Sequence, residues 1–250
     1  MSAFSIAFTA DTFCVAYDTL IGAIGAKRPL PIGFGQKVHP LLQHRAVLFG
    51  SGAGQIVVDA ARALALQPHL TELEDLVKVL PGLLGELAQG FAEQAGLGDH
   101  RRLGLLRTML AGWSEREKRF RLWSFNNFED DFAARESLLL GLRVLPDIVD
   151  FDTVDFSGKN VGQQLVAALL AMQDVLLADP EGYHGLVLGG EIHGLEITAE
   201  GFCNRTLHRF EDYDAVRAEA AANVRRLLRD GDWPAVRDGI VPVDDFKRVA

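Results

Sequence analysis

Residues 1–18, MSAFSIAFTADTFCVAYD, decide how the start of this chain folds and which chemistry it could carry. Two apolar runs rich in β-prone residues flank a short polar break at residues 9–11. This pattern predicts a β-hairpin with a loop of about three residues. A turn centred on Ala10 would place Ser2 directly opposite Asp18. Because directly opposed residues have Cβ atoms roughly 5 Å apart, a hydroxyl and a carboxylate are expected to meet at one end of the hairpin.

Removal of Met1 would leave Ser2 as an N-terminal residue that carries a nucleophile and a base together. Small residues such as Ser2 and Ala3 are those that methionine aminopeptidases favour after the initiator. A serine hydroxyl is a weak nucleophile until a base takes its proton, and an α-amino group with a pKa of about 7.7–8.0 can accept that proton near neutral pH. Lys37 is the candidate for a positive charge that favours the alkoxide, and Asp18 is the candidate carboxylate that holds this charge in place.

The spacing of these residues resembles that in the β-type subunits of the proteasome and of its simpler bacterial relatives, within the N-terminal-nucleophile hydrolases. That family begins its mature chain with the nucleophile, usually Thr, ends the second strand with an Asp, and supplies a Lys one hairpin later. Ser2, Asp18 and Lys37 match these positions, with Asp18 the seventeenth residue counted from Ser2. A strand, a small-residue turn and a long helix then follow over residues 46–61, in the family's order. The resemblance is specific over residues 2–67.

The later part of the chain follows the family more loosely. Residues 109–125 resemble its central hairpin, and residues 189–201 resemble its late strand pair. The departures are a Ser nucleophile in place of Thr and Asp18-Thr19-Leu20 in place of the usual Asp-x-Arg. The glycine- and serine-rich turn before the third helix and the Ser-Gly-Gly context of the auxiliary Asp are also missing. By resemblance, Ser137 and Asp179 are the candidates for the auxiliary catalytic positions.

Each of the three main residues also has a plain structural interpretation. Ser2 could be an ordinary residue after an initiator methionine, and Asp18 could simply begin a turn after a strand. Lys37 could be an exposed lysine on an edge strand. Their joint spacing favours a shared site over three unrelated residues.

The glycine-rich turn at residues 50–54, Gly-Ser-Gly-Ala-Gly, allows two interpretations. Such a turn between a strand and a helix can cradle phosphate. Here the predicted helix is followed by a second helix, whereas a dinucleotide-binding unit has a strand at this point that ends in an acidic residue. The order of elements therefore argues against such a unit. In a hydrolase, backbone N–H groups around Ser51 and Gly52 would face the oxyanion of a tetrahedral intermediate, an arrangement worth roughly 3–4 kcal/mol per donor in other enzymes.

The composition predicts one globular domain over residues 1–250, because 48 % of the residues are hydrophobic and no low-complexity linker divides the chain. The net charge of −9 and the scattered basic residues argue against nucleic acid or an anionic membrane as partner. The first residues lack a basic and apolar leader pattern, and we expect no apolar run of transmembrane length. Cys14 and Cys203 give no disulfide framework, so we expect a cytoplasmic location. Glu191 and His193 could form a metal edge, but no second His has the required spacing, and no metal site is predicted.

Helical periodicity predicts four helices with strands before, between and after them, over residues 55–67, 73–94 with a break before Pro81, 161–177 and 215–229. We therefore expect an α+β fold, specifically a four-layer αββα sandwich with two antiparallel sheets between helical layers.

The resemblance implies an enzyme that cleaves an amide through Ser2, most simply a peptide bond, without a metal or organic cofactor. It also implies a homo-oligomer, either a ring or an open stack, whereas nothing in the residues indicates whether an ATPase partner feeds it. An amidase that acts on a small molecule would share the same site. The alternative is a catalytically inactive subunit that serves as a scaffold or assembly module.

Overall fold

A computed structural model describes the protein over residues 2–24, 29–128, 131–137, 141–179 and 186–230. Within these ranges the chain is α+β, with four α-helices and twelve strands in three antiparallel sheets. The helices are α1 (Gly54–Ala65), α2 (Leu73–Gln94), α3 (Val161–Ala178) and α4 (Tyr213–Asp230). The strands are β1 (Phe4–Phe8), β2 (Phe13–Asp18), β3 (Leu20–Ile24), β4 (Pro29–Phe34), β5 (Val38–Leu41), β6 (Ala46–Ser51), β7 (Arg107–Ser114), β8 (Arg119–Asn126), β9 (Arg135–Glu136), β10 (Gly141–Leu145), β11 (Glu191–Thr198) and β12 (Gly201–Arg209).

Two of the three sheets have five strands each. The first sheet has the order β10-β1-β2-β11-β12, and the second has the order β5-β6-β7-β8-β9. The third sheet is the pair β3-β4, against which α4 packs. The central hairpin and the late strand pair expected from the sequence are present as β7-β8 and β11-β12.

The two five-stranded sheets share an apolar core, because alternate side chains of each strand point to opposite faces. From β1 and β2, Phe4 and Phe13 enter this core and both contact Phe49 of β6, with ring centroids 5.2 and 6.0 Å apart. Along β2, Cys14 and Ala16 alternate with these core residues and belong to a separate cluster on the other face of the first sheet. Each strand of the first hairpin is thus buried on both faces.

Helices cover the outer faces of these sheets. Leu48 and Leu110 of the second sheet pack in one cluster with the apolar sides of α1 and α2. On the first sheet, Leu165 and Leu169 of α3 pack against Ala16. Apolar side chains therefore join α1 and α2 to the second sheet, the second sheet to the first, and the first sheet to α3.

The register of the first hairpin differs by one residue from the predicted register. Phe4 pairs with Tyr17, which leaves a loop of four residues, Thr9–Thr12. The N–H of Thr9 donates to the carbonyl of Thr12 at 2.9 Å, and the Thr9 hydroxyl accepts from the N–H groups of Asp11 and Thr12 at 3.3 and 3.0 Å. These bonds stabilise the longer loop. When this register is continued by one residue, Ala3 lies opposite Asp18, so the predicted direct pairing of Ser2 with Asp18 was wrong.

The predicted break before Pro81 was also wrong, because α2 continues through this residue. Proline removes one helical hydrogen bond and crowds the carbonyl four residues earlier, a penalty of about 3 kcal/mol. Here Leu76, Leu80 and Leu84, on both sides of the proline, are fully buried in one cluster. Their burial outweighs the local penalty.

In the part of the chain that the structure describes, one helix, α3, is long and apolar enough to span a membrane by length and composition alone, with a mean hydropathy of 1.5 over 18 residues. The expectation that no segment reaches this length was therefore too strong. Leu165, Ala168, Leu169 and Met172 of α3 are buried among residues of the first sheet and its connections. Buried residues that recur at intervals of three and four positions are typical of a helix that packs one side on a sheet.

Candidate active site

Asp18 ends β2 and is completely buried. Its Oδ1 accepts a hydrogen bond from Lys37 Nζ at 2.7 Å, and its Oδ2 accepts one from the N–H of Gly189 at 3.3 Å. The Lys37 side chain is only 10 % exposed. The carboxylate is therefore fixed by groups from two other segments of the chain, and Lys37 is not the exposed edge lysine of the plain structural interpretation.

Burial raises the pKa of the Asp18 carboxyl above its usual value, because removal from water disfavours the charged form. The charge and the hydrogen bond of Lys37 oppose this rise, and so do the backbone N–H groups of Gly189 and Leu20. Asp18 thus depends on these partners to remain ionised inside the protein.

Lys37 lies directly before β5 in the connection from β4. This connection is held at two points. The N–H of Gly35 donates to the carbonyl of Thr19 at 2.8 Å, and Gln36 Nε2 donates to the carbonyl of Val38 at 2.5 Å. The loop that carries Lys37 is thereby fixed beside the end of β2.

A group of charged residues on β11 and β12 lies next to this end of β2. Glu191 accepts hydrogen bonds from Arg209 at 2.6 and 2.9 Å and contacts His193 Nε2 at 3.1 Å. These contacts lower the pKa of Glu191, with His193 as the largest cause. Within the described ranges, no group of three or more His, Cys, Asp or Glu residues could hold a metal ion. The Glu191–His193 edge is an ion-pair group with Arg209.

The turn after β6 needs glycine at Gly52. Its φ is +102°, and a Cβ at this position would lie 2.4 Å from the carbonyl oxygen of Leu105. No side chain caps the start of α1, whose N-cap residue is Ala53. The first N–H groups of a helix have no acceptor four residues earlier, and that of Ile56 donates to the Ala53 carbonyl at 3.0 Å, which leaves those of Gly54 and Gln55 uncapped. Ser51 is partly exposed and Gly52 is exposed, so this turn can be reached from outside the protein.

A small cavity of about 20 Å³ connects this turn to the start of the first hairpin. Gly50 and Ser51 line one side, and Phe4 and Leu145 line the other. Phe4 is two residues after Ser2. The glycine-rich turn of the second sheet and the N-terminal strand of the first sheet therefore lie close together, at the end of the hairpin where Asp18 and Lys37 also lie.

The predicted site residues fall into two groups. Asp18 and Lys37 are in contact, and Ser2, which is partly buried, lies two residues before β1 at the same end of the hairpin. A contact of Ser2 with Lys37 stays a prediction. Of the two auxiliary candidates, Ser137 follows the edge strand β9, where its N–H donates to the Leu122 carbonyl at 2.8 Å, and Asp179 is an exposed residue at the end of α3.

Three contributors to the site had not been recognised as such from the sequence. Gly189 donates to Asp18 from a position 171 residues away, so no local pattern indicates it. Thr19 was noted only as a departure from the family pattern, although its hydroxyl accepts from the N–H of Glu191. Glu191 was considered only as a possible metal ligand.

Comparison with known proteins gives a likeness in structure and none in sequence. No family model matches this sequence, and no curated protein is similar to it in sequence. Among solved structures, the chain is similar to Anbu (ancestral beta-subunit) from Yersinia bercovieri, with a TM-score of 0.54 and 16 % sequence identity over 93 % of this chain and 97 % of that one. At this identity the likeness shows the fold alone, a fold of the proteasome β-subunit type.

Proposed function

We propose that this chain is an N-terminal-nucleophile hydrolase that cleaves peptide bonds through Ser2 after removal of Met1. The observation that carries the proposal is the buried contact between Asp18 and Lys37 at the end of the hairpin that Ser2 begins. A buried ion pair beside a potential nucleophile is a reason to suspect a catalytic site. The likeness in fold to Anbu adds support for the type of protein.

The first half of the proposed reaction is acylation. The free α-amino group of Ser2 takes the proton of its own hydroxyl, and Oγ attacks the carbonyl carbon of the peptide bond. The C–O bond forms while the carbonyl electrons move to the oxygen. Backbone N–H groups at Ser51 and Gly52 then stabilise this oxyanion. Collapse of the intermediate breaks the C–N bond, and the ammonium group returns the proton to the leaving amine.

In the second half, water attacks the Ser2 ester, with the same amine as general base, and releases the acid product. Lys37 provides a fixed positive charge near Oγ, in a site where exclusion of water makes such a charge effective. Asp18 is a positioning residue that holds Lys37. We further propose Ser137 and Asp179 as auxiliary residues, on the resemblance alone.

We propose the same architecture and context for the whole protein that the resemblance implies. The three successive apolar clusters support a four-layer αββα sandwich over one domain. A homo-oligomer in the cytoplasm, without a metal or organic cofactor, completes the proposal. The substrate is a peptide or a small amide, and the identity of any ATPase partner is open.

The test is hydrolysis of a panel of peptide amides by the untagged protein, together with its intact mass. We expect loss of the Met1 mass and measurable turnover. Ser2→Ala should abolish turnover and labelling by an epoxyketone, and an N-terminal tag that cannot be removed should do the same. Lys37→Ala should reduce kcat/KM by about a hundredfold or more, as the loss of one charge-stabilising group does in other hydrolases.

Two variants serve as matched controls. Ser157 and Lys78 are exposed residues far along the chain from the hairpin, so Ser157→Ala and Lys78→Ala should retain full turnover. Quantitative retention of Met1, or equal turnover by Ser2→Ala and the unmodified protein, would exclude the mechanism. Complete inactivity of a correctly processed protein that still assembles would favour the scaffold alternative.

A further inference from the structure

A second cavity lies on the other face of the first sheet, beside the N-terminus of α3. Its volume is about 380 Å³, within the range of small-molecule sites. The loop of the first hairpin forms one wall through Thr9 and Thr12, so this cavity is at the far end of the hairpin from Asp18. Cys14, which also lines it, is four residues from Asp18 along β2, about 13 Å in an extended strand. The cavity is therefore separate from the candidate active site.

Small side chains create the space. Ala7, Cys14 and Glu196 lie side by side on β1, β2 and β11, because Cys14 pairs with each of the other two. In the next row, Gly194 pairs with Arg205 of β12. On the sheet side, the longer side chains that line the cavity are those of Leu207 and of two charged residues, Glu196 and Arg205.

These two charged side chains have no polar partner among the residues that the structure describes. Neither Glu196 nor Arg205 makes a hydrogen bond or ion pair with any part of the chain that the structure describes, although both line the cavity. They lie on the same face of adjacent strands at diagonal positions, where Cβ atoms are roughly 7 Å apart or less. The cavity therefore has a negative and a positive group that do not neutralise each other by contact.

Arg205 also lies at the positive end of α3. A Cβ built on Gly162 would be 3.6 Å from Arg205 Nη2. The capping box of α3 uses the N–H groups of Asn160 and Gln163, so those of Val161 and Gly162 remain as donors without a capping partner. A guanidinium beside the positive end of a helix is unfavourable without an anion between them. The surroundings of Arg205 therefore suit a carboxylate.

We propose that this cavity binds a small zwitterion of the amino-acid or dipeptide class. Its carboxylate would lie between Arg205 and the start of α3, and its ammonium group would lie beside Glu196. Leu165 and Leu207, which line the cavity, would contact an apolar side chain of the ligand. The site does not depend on the proposed catalytic role of Ser2, because it uses none of the same residues.

The test is isothermal titration calorimetry with the dipeptide L-alanyl-L-leucine and with L-leucine as a shorter probe. We expect at least one of the two to bind. The N-acetyl and C-terminal amide forms of the same probe should bind about tenfold more weakly, because each lacks one charged group. Arg205→Gln should weaken binding of the free probe by about tenfold and leave binding of the amide unchanged. Glu196→Gln should weaken binding of the free probe by about tenfold and leave binding of the N-acetyl form unchanged.

Both residues are at least partly exposed, so these substitutions should not prevent folding. Arg217→Gln, at an exposed position on α4, is the matched control and should bind like the unmodified protein. Ser2→Ala should also bind normally, which separates this site from the active site. Failure of both probes to bind the unmodified protein at millimolar concentration, or equal affinity for the free and blocked forms, would overturn the proposal.

Discussion

Thr19 and Glu191 exchange two hydrogen bonds across the end of the first sheet. The N–H of Thr19 donates to the carbonyl of Glu191 at 2.9 Å, and the Thr19 hydroxyl accepts from the N–H of Glu191 at 2.9 Å. These two hydrogen bonds extend the pairing of β2 with β11 one residue beyond Asp18. Asp18 is therefore held from both sides, by the strand before it and by this pair after it.

Thr19→Val should destabilise the protein, because the valine has the same shape but leaves the N–H of Glu191 without its acceptor. An unsatisfied buried donor costs about 1–3 kcal/mol. Urea unfolding followed by circular dichroism measures the change in the free energy of unfolding. Thr71→Val, at an exposed residue before α2, is the matched control and should change it little. Equal stability of the two variants would show that the hydroxyl of Thr19 is dispensable.

Lys37→Met should destabilise the protein at neutral pH by about 3 kcal/mol, because it leaves the buried Asp18 carboxylate without its charged partner. Loss of Lys37 removes the main influence that opposes the burial of Asp18, so the pKa of this carboxyl rises further in the folded variant. The Asp18 carboxyl of the folded variant then binds a proton at a pH where that of the unfolded chain does not. The loss of stability relative to the unmodified protein is therefore greatest above the raised pKa, where the buried carboxylate is charged.

The difference in stability between Lys37→Met and the unmodified protein should therefore narrow as the pH falls through the raised pKa. Urea unfolding at a series of pH values measures it. Lys78→Met removes a lysine that is 75 % exposed and should stay within about 0.5 kcal/mol of the unmodified protein at every pH. A deficit of Lys37→Met that does not vary with pH would contradict the role of Asp18 in it.

Gly52→Ala should strongly destabilise the protein, since its φ of +102° is unfavourable for a side chain and the new Cβ would lie 2.4 Å from the Leu105 carbonyl oxygen. The matched substitution is Gly54→Ala at the start of α1, where a Cβ meets nothing within 4 Å. This second variant should be as stable as the unmodified protein or slightly more stable. Thermal unfolding of both variants checks the prediction, and similar melting temperatures would count against the proposed backbone constraint.

Cys203 should react with iodoacetamide in the folded protein, and Cys14 should not. Cys203 is exposed, whereas burial and the nearby Glu196 charge raise the pKa of the Cys14 thiol to about 12. The thiolate is the reactive form, so the raised pKa keeps Cys14 protonated and unreactive although it lines a cavity. Mass spectrometry should find a single label. The Cys203→Ser variant should remain unlabelled until it is unfolded in urea, and rapid labelling of its remaining cysteine would refute the assignment.

Much of the first hairpin could be predicted because its physics is local. The two apolar, β-prone runs around a polar break correctly predict strands β1 and β2 and their antiparallel pairing. The contact between Asp18 and Lys37 follows from their spacing and the resemblance, and it is present. The register was wrong by one residue because it depends on the hydroxyl of Thr9, whose two accepted hydrogen bonds stabilise a four-residue loop. The positions of the apolar runs carry no information on such a bond.

The remaining misses have non-local causes. Pro81 is a helix-breaking residue by itself, and only the burial of leucines on both sides keeps α2 continuous. The support of Asp18 by Gly189 joins two distant parts of the chain. Glu191 lies in a strand that could be predicted, but its hydrogen bonds with Thr19 depend on how β11 aligns with β2. Tertiary packing therefore decides these features, and one sequence shows it only indirectly.

The strand order of the first sheet has a consequence for how the chain folds during synthesis. Strands β1 and β2 are made first, but their outer neighbours in the sheet are β10 and β11, which start at Gly141 and Glu191. A ribosome has to add most of the protein before the hairpin can complete either edge. Until then, two apolar strands with unpaired edges are exposed to other chains, which favours aggregation. We therefore expect slow folding after release, and a benefit from chaperones that bind the nascent hairpin.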